Sequence, residues 1–258
     1  MFDNYFIYII VFIFGLSIGS FLNVVVLRYP EFVSIATTRS HCPSCKKILK
    51  WYDLFPFFSF VFLSGKCRYC RMKISWQYPL VEIVTAVIST LVIFKFGISW
   101  QGVIILLLSY LMIVISVFDI TSMEIPDFFL WLMLGASVLY VLFGQFGFTN
   151  YSIGIYNALI GMAVYAGFPL LIVLLTREKG MGMGDFKIGL PLGLVVGYPL
   201  AVVGLFMSIF AGSIFGLGLV FSKSKKLKDA MPFGPFMVFG FFIALFFGEW
   251  LWKLYFNL

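Results

Sequence analysis

Charged residues are placed so unevenly along these 258 residues that they leave a series of long uncharged apolar runs. These lie near 5–27, 79–97, 101–118, 128–146, 152–176, a hairpin-like pair within 186–221, and 234–252. A helix of about 20 apolar residues crosses a hydrocarbon core of ~30 Å, and backbone within lipid must satisfy its own hydrogen bonds. The pattern predicts an all-α polytopic membrane protein with about eight transmembrane segments. Composition agrees, because 62% hydrophobic and 11% charged residues cannot cover the surface of a water-soluble domain of this length. The first run, Asn4 to Leu27, is longer than the apolar core of a cleaved signal and lacks a basic flank before it, so it reads as a retained span.

A formal charge of +7 could suggest nucleic acid, but it arises from a few short loops. Such loops set topology and meet anionic lipid headgroups, so membrane lipid is the expected partner and nucleic acid is not. Segment 28–78 carries nine Lys and Arg against Glu31 and Asp53, which predicts a cytoplasmic loop and an outside N-terminus. By alternation, 119–127, 177–187 and 222–229 fall in the cytoplasm, with 98–100, 147–151 and the C-terminus outside. The basic residues Arg177, Lys179 and Lys187, then Lys223, Lys225, Lys226 and Lys228, fit that order. Stretch 188–222, basic at both ends, must cross an even number of times, with its break at Gly197-Tyr198-Pro199. Its first arm of about a dozen residues would be roughly 18 Å long, a short span or a re-entrant arm that only packing by protein makes tolerable.

Two carboxyls stand where apolar runs meet polar segments. Asp119 ends the run from Phe96 to Phe118, and Asp185 closes Gly182-Met183-Gly184-Asp185. Alternation puts both on the cytoplasmic side. Carboxylates at membrane depth are costly and point to function, and two sharing one site hold a single proton between them, giving a base for water and an acid for the leaving amine. The alternative is a pair of ordinary interfacial residues or helix caps. Gly182 and Gly184 would let a substrate backbone lie close to the carboxyl. Asp127, after Pro126, is expected to cap the fourth span. Glu82 is a candidate partner for a loop cation or a substrate amine, or a snorkelling interfacial residue.

All four cysteines fall in the first loop, as Cys42-Pro-Ser-Cys45 and Cys67-Arg-Tyr-Cys70 with 21 residues between the pairs. In a reducing compartment such C-x2-C pairs read as one structural zinc site of four thiolates. His41 is expected to be solvent-exposed. The aromatic stretch from Trp51 to Phe60 is expected to fold onto the metal site and lie at headgroup level.

In ordered blocks over nearly the whole chain, the sequence resembles the bifunctional prepilin peptidases, membrane aspartic proteases of the GxGD class. The blocks are Gly19-Ser20-Phe21-Leu22-Asn23-Val24-Val25, Arg28-Tyr29-Pro30, the two cysteine pairs, and Tyr78-Pro79-Leu80-Val81-Glu82. Then come Asp119 with Ile125-Pro126-Asp127, Gly182-Met183-Gly184-Asp185 with Lys187, and Pro232-Phe233-Gly234-Pro235-Phe236. The resemblance implies that Asp119 and Asp185 are the catalytic aspartates, with Gly182, Gly184 and Asp127 in the supporting motifs; Glu124 joins Asp119, Asp127 and Asp185 in an acidic cluster expected to attract a basic leader. It implies substrates that are type IV prepilins or pseudopilins, cut after a short basic leader at the cytoplasmic face of the bacterial inner membrane. It implies N-methylation of the new N-terminus from S-adenosylmethionine. The expected division is 1–78, the first span with the four-cysteine loop and the region associated with methylation, and 79–258, the peptidase. His41 and Tyr29 depart from the family pattern without touching the dyad. The methyltransferase activity rests on the resemblance alone, since no Rossmann-type glycine fingerprint occurs. An ion-coupled transporter using Asp119 and Asp185 as a proton relay is the competing reading, and a membrane-tethered zinc adaptor without catalysis is a second.

Overall fold

The computed structural model describes residues 2–145, 153–178, 180–222 and 231–256, and no strand occurs among them. Seven helices are long and apolar enough to cross a membrane: α1 (Phe2–Arg28), α4 (Gln77–Phe96), α5 (Trp100–Ser122), α6 (Asp127–Gln145), α7 (Ile155–Thr176), α9 (Leu200–Phe221) and α10 (Gly234–Phe256). Shorter helices are α2 (Phe32–Thr37), α3 (Phe58–Phe62) and α8 (Met183–Val196), with a 3-10 turn at Trp51–Leu54. Every expected span has its helix, including the pair split at Gly197-Tyr198-Pro199. Lys179, the basic run Lys223, Lys225, Lys226 and Lys228, and the outer loop 147–151 lie outside the described residues.

The chain forms two compact units, Met1–Ile98 and Ser99–Leu258. The division falls one helix later than the 78/79 boundary read from the sequence, because α4 pairs with α1. Small residues at helical spacing make that pairing close. A Cβ on Gly15 would lie 2.6 Å from the Ala86 Cα, and one on Gly19 would lie 2.7 Å from the Glu82 Cα. One turn further, the Asn23 amide donates to the Tyr78 carbonyl at 3.3 Å.

In the second unit α8 packs against α6, α7 and α10, while α9 pairs with α10 and α7. Of the 14 residues of α8, Asp185, Ile188, Gly189 and Pro191 to Val196 are buried. Gly189 faces Tyr165 and Ala166, Gly193 faces Gly161, and Gly197 faces Ile153 and Asn157. The Tyr198 N–H also donates to the Asn157 carbonyl at 2.9 Å. This antiparallel register carries the end of α8 to the first turn of α7. It also sets Asp185 level with Pro169, roughly two turns (~10 Å) inside the Thr176 end of α7.

Candidate functional site

Asp119 occupies the last turn of α5, which Met123 closes in the left-handed conformation, its N–H donating to the Asp119 carbonyl at 3.0 Å. Asp185 lies in the first turn of α8, and its N–H donates to the Gly182 carbonyl at 3.1 Å. Both side chains are buried, at 6% and 8% exposure, and both line one cavity of about 1140 Å³. The remaining wall comes from segments 123–127, 178–187 and 231–233.

Helix ends supply the electrostatics. The N–H of Gly234, first residue of α10, donates to Asp119 Oδ2 at 2.9 Å, so a free helix donor and the positive end of a helix dipole face that carboxylate. The Gly234 N–H thus favours an ionised Asp119, an asymmetry that lets one carboxyl act as base and the other as acid.

Gly182 has an ordinary φ of −83°, and a Cβ there would meet nothing nearer than the Gly184 nitrogen at 3.9 Å. Its lack of a side chain therefore matters as open space on the cavity wall, not as conformational freedom. Gly184 instead packs under Ile125, where a Cβ would lie 3.0 Å from Cδ1. Asp127 opens α6 and its carboxylate pairs with Lys187 Nζ at 2.5 Å, a tie between α6 and α8 that sequence reasoning did not foresee. Glu124 is exposed on the rim. Sequence reasoning missed Glu178 as a wall residue and gave Gly234 no role. The first has no motif to mark it, and the second is 115 residues from the carboxylate it contacts.

In the first unit the four cysteines are free thiols whose sulfurs all lie within 4.8 Å of one another. Thiolates at ~2.3 Å from a tetrahedral zinc stand about 3.8 Å apart, and the Cys42 and Cys70 sulfurs are 3.8 Å apart. The donor set and spacing fit a closed metal site. Two turns of one design build it. Cys42 N–H donates to the Lys47 carbonyl and Lys46 N–H to the Cys42 carbonyl, at 3.0 and 2.9 Å. Cys67 with Met72 and Arg71 with Cys67 repeat this at 2.9 and 3.0 Å. Lys46 and Arg71 both take a positive φ, 57° and 60°. Hydrogen bonding from the Cys45 backbone N–H, and further from that of Ser44, pulls the Cys42 thiol down to about 6 against the opposing effect of burial, while, against a hydrogen bond from the Met72 backbone, burial and the other three cysteines push Cys70 up to about 11, so the cluster favours one thiolate among neighbouring thiols.

Asp53, in the turn between the knuckles, accepts from Arg68 Nε at 2.6 Å and from the Tyr69 hydroxyl at 3.3 Å. His41 is exposed as expected. The aromatics do not fold onto the metal site as a group. Tyr52 and Tyr69 stack under the Arg68 and Lys47 cations, while Trp51, Phe55, Phe58 and Phe62 remain exposed on the loop surface, where aromatic rings at headgroup level would meet lipid.

Comparison with known proteins decides the family. The bacterial peptidase A24 N-terminal domain matches residues 13–96, and the type IV leader peptidase family matches residues 106–217. A protein of Aeromonas salmonicida (strain A449) called prepilin leader peptidase/N-methyltransferase is 31% identical, covering 95% of this chain and 92% of the relative. The chain belongs to the type IV leader peptidase family. A relative of that name from Bacillus subtilis (strain 168) is 33% identical, over 95% of this chain and 96% of its own length. One from Pseudomonas aeruginosa is 29% identical over 93% and 90%. No solved structure matches. The two family regions fall one in each compact unit, so this leader peptidase carries its cysteine cluster and its paired carboxyls on different units.

Proposed function

We propose that this chain is a prepilin leader peptidase that cuts the basic leader from type IV prepilins or pseudopilins at the cytoplasmic face of the bacterial inner membrane. The observation that carries the reading is the convergence of two buried carboxyls, Asp119 and Asp185, on one cavity. Asp119, held by the Gly234 N–H, is the base that activates water, and Asp185 is the acid that protonates the leaving amine. The recessed position of Asp185 supports a substrate whose scissile bond lies just inside the membrane edge, where a polar leader meets an apolar helix. Among the described residues, five carboxyls line the cavity (Asp119, Glu124, Asp127, Glu178 and Asp185) and Lys187 is the cation beside them, which supports capture of a basic leader.

The four cysteines hold one structural zinc, which fixes the loop between α1 and α4. The relatives' name supports a second step, N-methylation of the new N-terminus, for which S-adenosylmethionine supplies the methyl group when bound. The first unit contains a buried set of acceptor groups, Asn23 Oδ1 among them without a partner, which fits a role in that step.

The reading is tested by incubating membranes containing the chain with a prepilin. Shortening of the substrate, lost in Asp119→Asn, separates a peptidase from a proton-coupled transporter built on the same carboxyls. Intact prepilin after exposure to the wild-type chain overturns the proposal.

A further inference from the structure

The α1–α4 seam buries a polar cluster that the peptidase chemistry does not use. Glu82, 6% exposed, accepts the Phe57 N–H at 2.7 Å on Oε2, and the Ser20 hydroxyl also bonds its carboxyl. No Lys or Arg pairs with it among the described residues. A carboxylate offers about four lone-pair positions, so these two donors leave acceptor capacity in a buried, uncompensated group. One to two turns away along the same seam, Asn23 is 2% exposed. Its Nδ2 serves the Gly19 and Tyr78 carbonyls at 3.2 and 3.3 Å, while Oδ1 has no partner. Orphaned acceptors in a buried site are costly and call for an explanation.

A seam that needed only to pack would not require these groups. Gly15 against Ala86 closes the neighbouring turn with small residues alone. The segment that supplies the Phe57 donor is itself held in an uncommon conformation, φ 60° and ψ −51° for an aromatic residue, the kind of outlier that persists where surroundings over-determine it. The unmet demand is for a ligand that donates several hydrogen bonds and carries positive charge. Carboxylate, amide oxygen and hydroxyl together match a primary ammonium, with its three donors.

We propose that Ser20, Asn23 and Glu82 form the binding site for the free α-ammonium of the processed polypeptide, and that Glu82 takes the proton this group must lose before it can accept a methyl. The N–H bond breaks, an O–H bond forms on Glu82, and the nitrogen is left with the lone pair that methyl transfer requires. The proposal rests on the N-methylation reading above and names the residues that would receive the acceptor.

The test uses the full chain in phosphatidylglycerol nanodiscs and a peptide beginning at the first residue after a prepilin leader, with its N-terminus free or acetylated. The wild-type chain is expected to bind the free-amine peptide about 10- to 100-fold more tightly, the range for charged hydrogen bonds. Glu82→Gln keeps an acceptor for the Phe57 N–H, so it should preserve the seam and the affinity for the acetylated peptide while abolishing the preference. Asn23→Ala should reduce the preference several-fold and serves if Glu82→Gln does not fold. Equal binding of both peptides by the wild type, or a preference that survives in both variants, overturns the site. Ethanolamine lipid is the other source of a primary ammonium. Its Glu82-dependent retention in mixed nanodiscs, without any preference between the peptides, overturns the peptide assignment. Leader cleavage is measured on the same wild-type preparations. Absence of cleavage by the wild type counts against the proposed peptidase function and leaves the binding comparison to decide the amine site.

Discussion

Gly234 and Asp119, 115 residues apart, meet through a 2.9 Å hydrogen bond from the Gly234 N–H to Asp119 Oδ2. A Cβ at position 234 would lie 2.7 Å from that same oxygen and 3.2 Å from Ile188 Cδ1. Only glycine lets the helix start come this close to the carboxylate. Gly234→Ala should therefore displace the carboxylate and lower the cleavage rate by about 10²-fold, the cost of an ångström-scale misplacement. Membrane insertion and Tm should change little. Cleavage at the wild-type rate would show that Asp119 is not held by this contact.

Asp119→Asn and Asp185→Asn should each lower kcat by about 10³-fold or more while leaving the protein in the membrane. Glu at either position should also fail, since it moves the carboxyl by about an ångström in a closed site. Asp127→Asn should be milder, because its partner Lys187 stands 39% exposed and such pairs contribute ~1 kcal/mol or less. Substantial cleavage by Asp185→Asn would remove it from the chemistry.

The helices and their breaks were legible because charge gaps and a Gly-Tyr-Pro interruption are local signals, and the depth of a membrane fixes what such runs become. The cysteine centre was legible for the same reason, since each knuckle is six residues long. Contacts made by backbone at a distance were not. Gly234 reveals nothing about Asp119 until α5 and α10 are packed, and Asp127 shows its Lys187 partner only when α6 and α8 meet. The tight pairing of α4 with α1 was hidden as well, because Gly15 and Gly19 are unremarkable inside a run that is apolar throughout. The likeness of residues 40–49 to 65–74 was readable only as paired cysteines. Their shared hydrogen bonds, Leu49 N–H to the Ser40 carbonyl and Ile74 N–H to the Gly65 carbonyl at 2.9 and 2.8 Å, lie in backbone geometry that side-chain identities leave unstated.

The cysteine cluster makes a separate prediction. Purified protein should contain about one equivalent of zinc, and chelation should destabilise the loop, since metal affinity is folding free energy in such sites. Cys67→Ser should lower zinc content and protease resistance of segment 40–74 more than it lowers the rate of bond cleavage. Zinc-free protein containing a Cys42 to Cys67 disulfide would overturn both the metal and the cytoplasmic placement.

The last prediction concerns how a basic leader is drawn to a protein of net charge +7. The loop between α1 and α4 carries eight cations and repels such a leader, so attraction must come from the cavity rim, which Glu124, Glu178 and Asp127 line. Glu124 is exposed on the cavity rim. Its charge acts on leader and transition state alike, which is uniform binding. Glu124→Gln should therefore raise KM several-fold with little change in kcat. The difference should shrink in high salt, where a surface field is already screened beyond ~3 Å at 1 M. Glu178→Gln should behave in the same way. A fall in kcat at constant KM for Glu124→Gln would instead place Glu124 among the reacting groups and require a different assignment of acid and base.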